Sequence, residues 1–179
     1  MSETITPNEA PADDTHLKQS MRKVALTALA GTSIEWYDFF LYATAAALIF
    51  PAAFFPESTP TMGLILSFGT FAFGFIARPV GGILFGHFGD RIGRKRTLVI
   101  ALMLMGVAST LIGLLPTYAS IGIAAPIILT VLRFVQGLAI GGQWGGAMLL
   151  VTESAPADQR GYYGAYAQAG APVGVILAN

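Results

Sequence analysis

Long apolar segments alternate with short polar connections along most of the chain. These segments lie at residues 24–50, 61–85, 98–115, 120–151 and, incomplete, 161–179. Each complete segment is long enough to cross ~30 Å of hydrocarbon as a helix, which rises about 1.5 Å per residue. Because helices satisfy their own backbone hydrogen bonds in lipid, the pattern predicts an all-α integral membrane bundle. Residues 1–23 are predicted as a cytoplasmic polar tail, of which residues 1–20 have too little apolar surface to become ordered.

The connection at residues 86–97 combines charge and glycine between the second and third segments. It contains Asp90, three glycines and the cations Arg91, Arg94, Lys95 and Arg96. Cations also precede the first segment and follow the fourth, whereas the other two connections contain no Lys or Arg. The positive-inside rule therefore places the amino terminus and residues 86–97 in the cytoplasm. A multi-pass protein with a cytoplasmic amino terminus is predicted.

The composition argues against several other classes of protein. Hydrophobic residues make up 54% of the chain and charged residues 11%, with a formal net charge of zero, which disfavours a nucleic-acid partner. The chain has no cysteine, and its two histidines, His16 and His87, are too few to build a metal site. Residues 86–93 lack the order of a phosphate-binding loop, and no set of nucleophile, base and orienting residue is evident. We therefore expect no enzyme and no metal or other cofactor.

Two acidic residues lie inside the first apolar segment. Glu35 is ~16 Å beyond Val24 by helical rise, and Asp38 and Tyr42 follow three and seven residues later on much the same face. A charge at this depth costs several kcal/mol unless it meets water or a partner, so such residues often serve ion or proton pathways. Burial also favours the protonated form of a carboxyl group. Proton coupling is the hypothesis for these residues, and a purely structural ion pair is the alternative.

Arginines of the second and fourth segments supply the opposite charge. Arg133 is ~18 Å deep, which matches Glu35 and Asp38 and predicts a contact across the bundle. Arg78 is ~12 Å from the cytoplasmic end, where it is either a gate or structural partner or a substrate contact. Further candidates for substrate contact or gating are Gln136, Gln143 and Trp144. For Gln143 and Trp144, hydrogen bonding or packing between helices is the alternative.

Glycines recur at four-residue spacing in several segments. The repeats are Gly82 and Gly86, then Gly137, Gly141 and Gly145, then Gly170 and Gly174. Small residues at this spacing let membrane helices approach closely, so the repeats predict helix contacts without indicating a substrate.

The charged connection, Gly86-x-x-Gly89-Asp90-Arg91-x-Gly93-Arg94-Lys95, closely resembles the loop signature between helices two and three of the major facilitator superfamily. Other patterns resemble the metabolite:proton symporter branch of that superfamily, which includes carriers of shikimate, 2-oxoglutarate, citrate and proline or betaine. These patterns are Glu35-Trp36-Tyr37-Asp38-Phe39, Arg78-Pro79-x-Gly81-Gly82, Arg133-x-x-Gln136-Gly137, Gly142-x-Trp144-Gly145-Gly146 and Pro156-x-x-x-Arg160-Gly161. The resemblance covers about residues 24–179. It implies the amino-terminal part of a twelve-helix transporter, with about four and a half helices present and the carboxyl half missing.

The resemblance implies secondary active transport, with protons as the coupling ion and a small organic acid or zwitterion as the substrate. It places the protein in the plasma (inner) membrane of a bacterium, with the lipid bilayer and its own missing carboxyl-terminal half as partners. Glu35, Asp38, Tyr42 and Arg133 would line the cavity. The implied cytoplasmic gate consists of Gly86, Gly89, Asp90, Arg91, Gly93, Arg94, Lys95, Glu153 and Arg160. Gln143 departs from the branch, which usually has Glu there, so no ion-pair role is carried over to it.

Two other interpretations of the chain remain open at this point. One is a membrane structural or partner-binding fragment that transports nothing. The other is a membrane-embedded enzyme, which would need a catalytic set outside these 179 residues.

Overall fold

A computed structural model describes the backbone of residues 12–179 and the side chains of residues 21–179, except those of Arg94, residues 144–147 and residues 149–150. The helices are α1 (Ala12–Leu48), α2 (Phe50–Phe54), α3 (Pro60–Ile92), α4 (Arg94–Leu114), α5 (Tyr118–Ile121), α6 (Ala124–Ser154) and α7 (Arg160–Ala178). The described residues contain no strand. The prediction of an all-α bundle is therefore confirmed.

Three stretches of the described chain are long and apolar enough to cross a membrane. They are Pro60–Ile92, Lys95–Leu114 and Ala124–Gln143. They correspond to the second, third and fourth predicted segments. α1 and α7, with 37 and 19 residues, correspond to the first and fifth. The spans of α1 and α7 and the domain boundaries stay predictions.

α1 begins at Ala12, ahead of the predicted start at Val24. The prediction of an unordered tail through residue 20 was therefore wrong for residues 12–20, while residues 1–11 lie outside the described chain. Met21 is only 6% exposed and belongs to a core cluster that includes Val151 and Tyr163. This contact holds α1 against α6 and α7 ahead of Val24. The helix therefore starts earlier than the apolar pattern predicted.

The connection predicted at residues 86–97 is almost entirely helical, so the prediction of a long loop was wrong. α3 continues to Ile92 and α4 starts at Arg94, which leaves Gly93 alone between them. Gly93 has a φ of 96°, which side chains with a Cβ rarely tolerate, and its N–H donates to the Gly89 carbonyl at 3.1 Å. Charged side chains at the end of a membrane helix project into water without ending the helix. The charged residues therefore lie at the adjoining ends of α3 and α4, and Gly93 forms the turn between these helices.

The main helix contacts are α3 with α6, α1 with α7 and α4 with α6. In the first contact, Gly81 approaches the Leu138 backbone, and Gly137 and Gly141 approach the backbones of Gly74 and Arg78. Gly170 and Gly174 approach the α1 backbone in the second contact. Gly86, by contrast, faces open space. Close approach of helices thus occurs at the repeats of α6 and α7.

The short helices α2 and α5 lie at the opposite end of the bundle from Gly93. Phe50 and Phe54 of α2 are buried in one cluster with Tyr42 and Leu129, which fixes the end of α1 against α6. Tyr118 of α5 forms a hydrogen bond with Glu57, and this bond raises the pKa of Tyr118 above its ordinary value. The bond links the connections on either side of α3 and α4.

Candidate functional site

Asp38 and Arg133 meet in the middle of the bundle. Arg133 Nη1 lies 3.5 Å from Asp38 Oδ2, and the two side chains are 2% and 14% exposed. α1 and α6 supply them at matching depths, which the two helical rises had predicted. Since a charge removed from water needs a partner, each of these side chains offers the other an opposite charge.

Gln136 and Ser109 complete the arrangement around the Asp38 carboxylate. Gln136 Oε1 accepts a hydrogen bond from Arg133 Nη1, and Gln136 Nε2 donates to Asp38 Oδ2 at 2.6 Å and to Ser109 Oγ at 2.7 Å. Ser109 Oγ donates to Asp38 Oδ1 at 2.7 Å. Both carboxylate oxygens thus have donors. We call Asp38, Ser109, Arg133 and Gln136 the Asp38 cluster.

Aromatic rings cover the Arg133 guanidinium. Its central carbon lies 3.9 Å from the ring centroid of Tyr42 and 4.9 Å from that of Phe71. The Tyr42 hydroxyl lies 2.8 Å from Thr70 Oγ1, and since the Thr70 proton is directed to the Ser67 carbonyl at 2.7 Å, Tyr42 is the donor. Arg133 Nε has no hydrogen-bond partner in the described structure. Ring faces therefore replace part of the hydration of this cation.

Glu35 interacts electrostatically with a different arginine from Asp38. Its side chain is 8% exposed, and its main favourable electrostatic partner is Arg78 of α3. The Arg78 guanidinium lies 4.4 Å from the ring centroid of Phe75 and 5.6 Å from that of Phe39. Arg78 is half-buried, and its Nε has no hydrogen-bond partner in the described structure. Arg78 is consequently less committed to protein contacts than Arg133.

A cavity of about 490 Å³ lies between α1 and α4 and reaches the Asp38 cluster. Its polar lining includes Asp38, Ser109 and the Tyr42 side chain, and most of the remaining lining is apolar. A largely apolar cavity with a few convergent polar groups is typical of small-molecule sites. The Asp38 carboxylate is thereby accessible from outside the packed interior.

The remaining candidates lie elsewhere. Gln143 is 2% exposed and links α6 to α1, because its side-chain amide donates to the Gly31 carbonyl at 3.2 Å. Its Oε1 has no hydrogen-bond partner in the described structure. Asp90, Arg91, Lys95, Glu153 and Arg160 are exposed near the ends of α3, α4, α6 and α7. Gly89 is buried and Gly93 forms the turn. The side chains of Arg94 and Trp144 lie outside the described residues.

Sequence reasoning missed Ser109, Thr70 and Phe71. Ser109 is part of a Ser-Thr pair in the otherwise apolar segment 98–115, and these are its only hydroxyl residues. That isolated pair was a usable signal. Phe71 had no comparable signal in the sequence, because one phenylalanine among twelve in a membrane chain is not distinctive.

An all-helical bundle with apolar spans and an internal ion pair beside a cavity defines a multi-pass membrane protein with a buried polar site. The chain belongs to the sugar (and other) transporter family, which it matches over residues 23–179. The resemblance to the major facilitator superfamily is confirmed.

Relatives in bacteria transport metabolites. The inner membrane metabolite transport protein YhjE of Escherichia coli K12 is 54% identical over 160 residues, which cover 89% of this chain and 36% of that protein. The shikimate transporter of the same organism is 48% identical over 94% of this chain and 39% of its own length. A proline/betaine transporter of Salmonella typhimurium is 38% identical over 88% of this chain and 31% of its own length. The chain therefore spans about a third to two fifths of these relatives. No solved structure matches it.

Proposed function

We propose that the protein is a proton-coupled secondary transporter of a small organic acid or zwitterion in the bacterial plasma membrane, with its amino terminus in the cytoplasm. This chain contributes the amino-terminal portion of the bundle, and the carboxyl half supplies the rest of the substrate path. Relatives named for shikimate and for proline or betaine support this range of substrates. The observation that carries the proposal is the ion pair of Asp38 and Arg133 beside the cavity.

The ion pair couples a proton to an anion through charge balance. With Asp38 ionised, Arg133 is neutralised within the protein. A proton that binds Asp38 removes this negative charge and leaves a cation that is 2% exposed. An uncompensated buried charge costs several kcal/mol, so a carboxylate of the substrate is then favoured near Arg133. Proton and substrate would therefore bind together.

Arg78 is the second group proposed for the substrate carboxylate. It is half-buried, interacts electrostatically with Glu35 and lies on the ring of Phe75. A guanidinium with free N–H groups above an aromatic ring suits a carboxylate attached to an apolar body. Gln143 and Trp144 are further proposed substrate or gate residues.

The charged end of the bundle is proposed as the cytoplasmic gate. Gly93 sets the angle between α3 and α4, and Asp90 and Arg91 are exposed beside it. Glu153 and Arg160 flank the connection between α6 and α7. Charged groups of both signs in these connections allow ion pairs to form and break between conformations.

Transport by the reconstituted full-length protein, which includes the carboxyl half, tests the proposal. Proteoliposomes with an inward proton gradient should accumulate shikimate or proline, and collapse of the gradient should abolish accumulation. Asp38→Asn should abolish gradient-driven accumulation yet keep exchange of substrate, because Asn resembles the protonated acid. Thr110→Ala, an exposed change on α4, is the matched control.

Accumulation that does not respond to the gradient would contradict proton coupling. Absence of uptake for organic acids and zwitterions alike would favour a structural or partner-binding membrane protein.

A further inference from the structure

Ser109 connects α4 to the Asp38 cluster. α4 packs mainly on α6, and both α1 and α4 line the cavity between them. The Ser109 hydroxyl reaches across to Asp38 Oδ1 at 2.7 Å. Ser109 of α4 thus contacts the carboxylate of α1 directly and is positioned to respond when Asp38 binds or releases a proton.

The Ser109 hydroxyl has one proton and two acceptors within reach. Asp38 Oδ1 lies at 2.7 Å, and the carbonyl of Met105, one turn earlier in α4, lies at 2.9 Å. The amide of Gln136 donates to Ser109 Oγ at 2.7 Å, which occupies one of the two lone pairs. The second lone pair can still accept a hydrogen bond. Ser109 can therefore donate to Asp38 or accept from it.

We propose that Ser109 is a positioning residue whose hydrogen bond reverses when Asp38 binds a proton. When Asp38 is ionised, the Ser109 hydroxyl donates to Oδ1. When a proton binds Oδ1, this new O–H donates to Ser109 Oγ, and the Ser109 proton turns to the Met105 carbonyl. The two states differ by the single proton that binds, and Ser109 is hydrogen-bonded in both. This inference rests on the proposed role of Asp38 in binding the coupling proton.

Charged and titratable groups of three helices surround this carboxylate. Arg133 of α6 lies 3.5 Å from Oδ2. Glu35 and Tyr42 of α1 interact with Asp38 electrostatically, and Arg78 of α3 interacts with Glu35 and Arg133. Burial of the Asp38 carboxylate, its hydrogen bond with Ser109 and the nearby charge of Arg133 together determine how readily Asp38 binds a proton. Ser109 determines where the Oδ1 hydrogen bond points in each state.

The reversal changes α4 as well as α1. A serine that donates to the carbonyl four residues earlier tends to bend its helix. Rotation of the Ser109 O–H from Asp38 Oδ1 toward the Met105 carbonyl strengthens this bond in the part of α4 that lines the cavity. The cavity of about 490 Å³ can hold several waters of ~30 Å³ each, which gives protons access to Oδ1. Proton binding on α1 would thereby alter the shape of α4.

Infrared spectroscopy of the chain in lipid nanodiscs tests the reversal. A C=O band of a protonated carboxyl group that appears at low pH and is missing in Asp38→Asn belongs to Asp38. We expect Ser109→Ala to shift this band to higher wavenumber, because the carboxyl group loses its hydrogen-bond partner. Ser109→Thr should keep the band in place, and Ser109→Cys, with a weaker acceptor, should shift it by a smaller amount.

Thr110→Ala is the matched control for a change in α4 alone. Thr110 donates to the Gly106 carbonyl at 2.8 Å, which is the same type of bond without contact to Asp38. It should leave the band unchanged. An Asp38 band that Ser109→Ala and Ser109→Cys both leave in place would overturn the reversal while the proposed proton binding stands. Absence of any Asp38 band in the folded wild-type chain across the pH range would overturn both.

Discussion

Glu35 and Asp38 lie one helical turn apart on α1, but they have different partners. Asp38 accepts hydrogen bonds from Ser109 and Gln136, and it is paired with Arg133, which is 2% exposed. The main electrostatic partner of Glu35 is Arg78, which is half-buried and has a long side chain that can reach toward water. A change at Asp38 therefore leaves a more costly unpaired charge than the same change at Glu35.

We expect Asp38→Asn to lower the free energy of unfolding by about 3 kcal/mol, because Arg133 stays charged in a buried site without a counter-charge. Glu35→Gln is the matched variant and should lower it by less. Reversible unfolding in detergent micelles measures both. If both variants lost the same free energy of unfolding, the burial of Arg133 would not explain the destabilisation by Asp38→Asn.

At the scale of helices, α3 and α6 touch backbone to backbone. A Cβ on Gly81 would overlap the Leu138 carbonyl, whereas a Cβ on Gly69 of the same helix would meet no atom within 4 Å. The packing of α3 against α6 therefore depends on Gly81 and not on Gly69.

We expect Gly81→Ala to destabilise the bundle by about 3 kcal/mol, because α3 and α6 must move apart to accept the methyl group. Gly69→Ala should be neutral or should stabilise by up to about 1 kcal/mol, since Ala is the better helix former. Thermal unfolding followed by circular dichroism compares the two. A similar loss in both variants would contradict the contact.

The turn between α3 and α4 depends on one backbone conformation. Gly93 has a φ of 96°, and replacement by Ala should cost about 1–3 kcal/mol of strain. Gly86→Ala, seven residues earlier in α3 and facing open space, is the control and should cause no such loss. The midpoint of unfolding reports the difference. An unchanged midpoint for Gly93→Ala would mean that the turn accepts a side chain.

At the scale of the whole molecule, two ends of the bundle face opposite sides of the membrane. Arg91, Lys95 and Arg96 lie at the end with Gly93, and Arg160 follows the connection between α6 and α7, whereas the end with α2 and α5 contains no Lys or Arg. The distribution of charge therefore predicts which end faces the cytoplasm.

Cysteine labelling tests this orientation directly, because the chain has no cysteine of its own. Ala119→Cys in α5 should react with a membrane-impermeant thiol reagent on intact cells. Asp158→Cys, which is exposed at the other end, should react only after the membrane is permeabilised. The reverse pattern would place the amino terminus outside the cytoplasm.

Much of the fold could be predicted from the sequence. The apolar segments predicted the long helices α3, α4 and α6, and the depth of Arg133 predicted that it would meet an acid of α1. These predictions succeed because hydropathy and helical rise are properties of the local sequence. The start of α1 and the single-residue turn at Gly93 were missed, because they depend on the contact of Met21 and on one backbone angle.

The sequence by itself determined that this protein is a helical membrane bundle with acids and arginines at matching depths. Only the tertiary structure decided that Asp38 pairs with Arg133 while Glu35 interacts electrostatically with Arg78, and that Ser109 of α4 joins the site. The physical reason is that depth follows from position along a helix, whereas a partner follows from how each helix is rotated about its axis. That rotation is set by packing at residues such as Gly81 and Gly137, which are remote in sequence from Asp38.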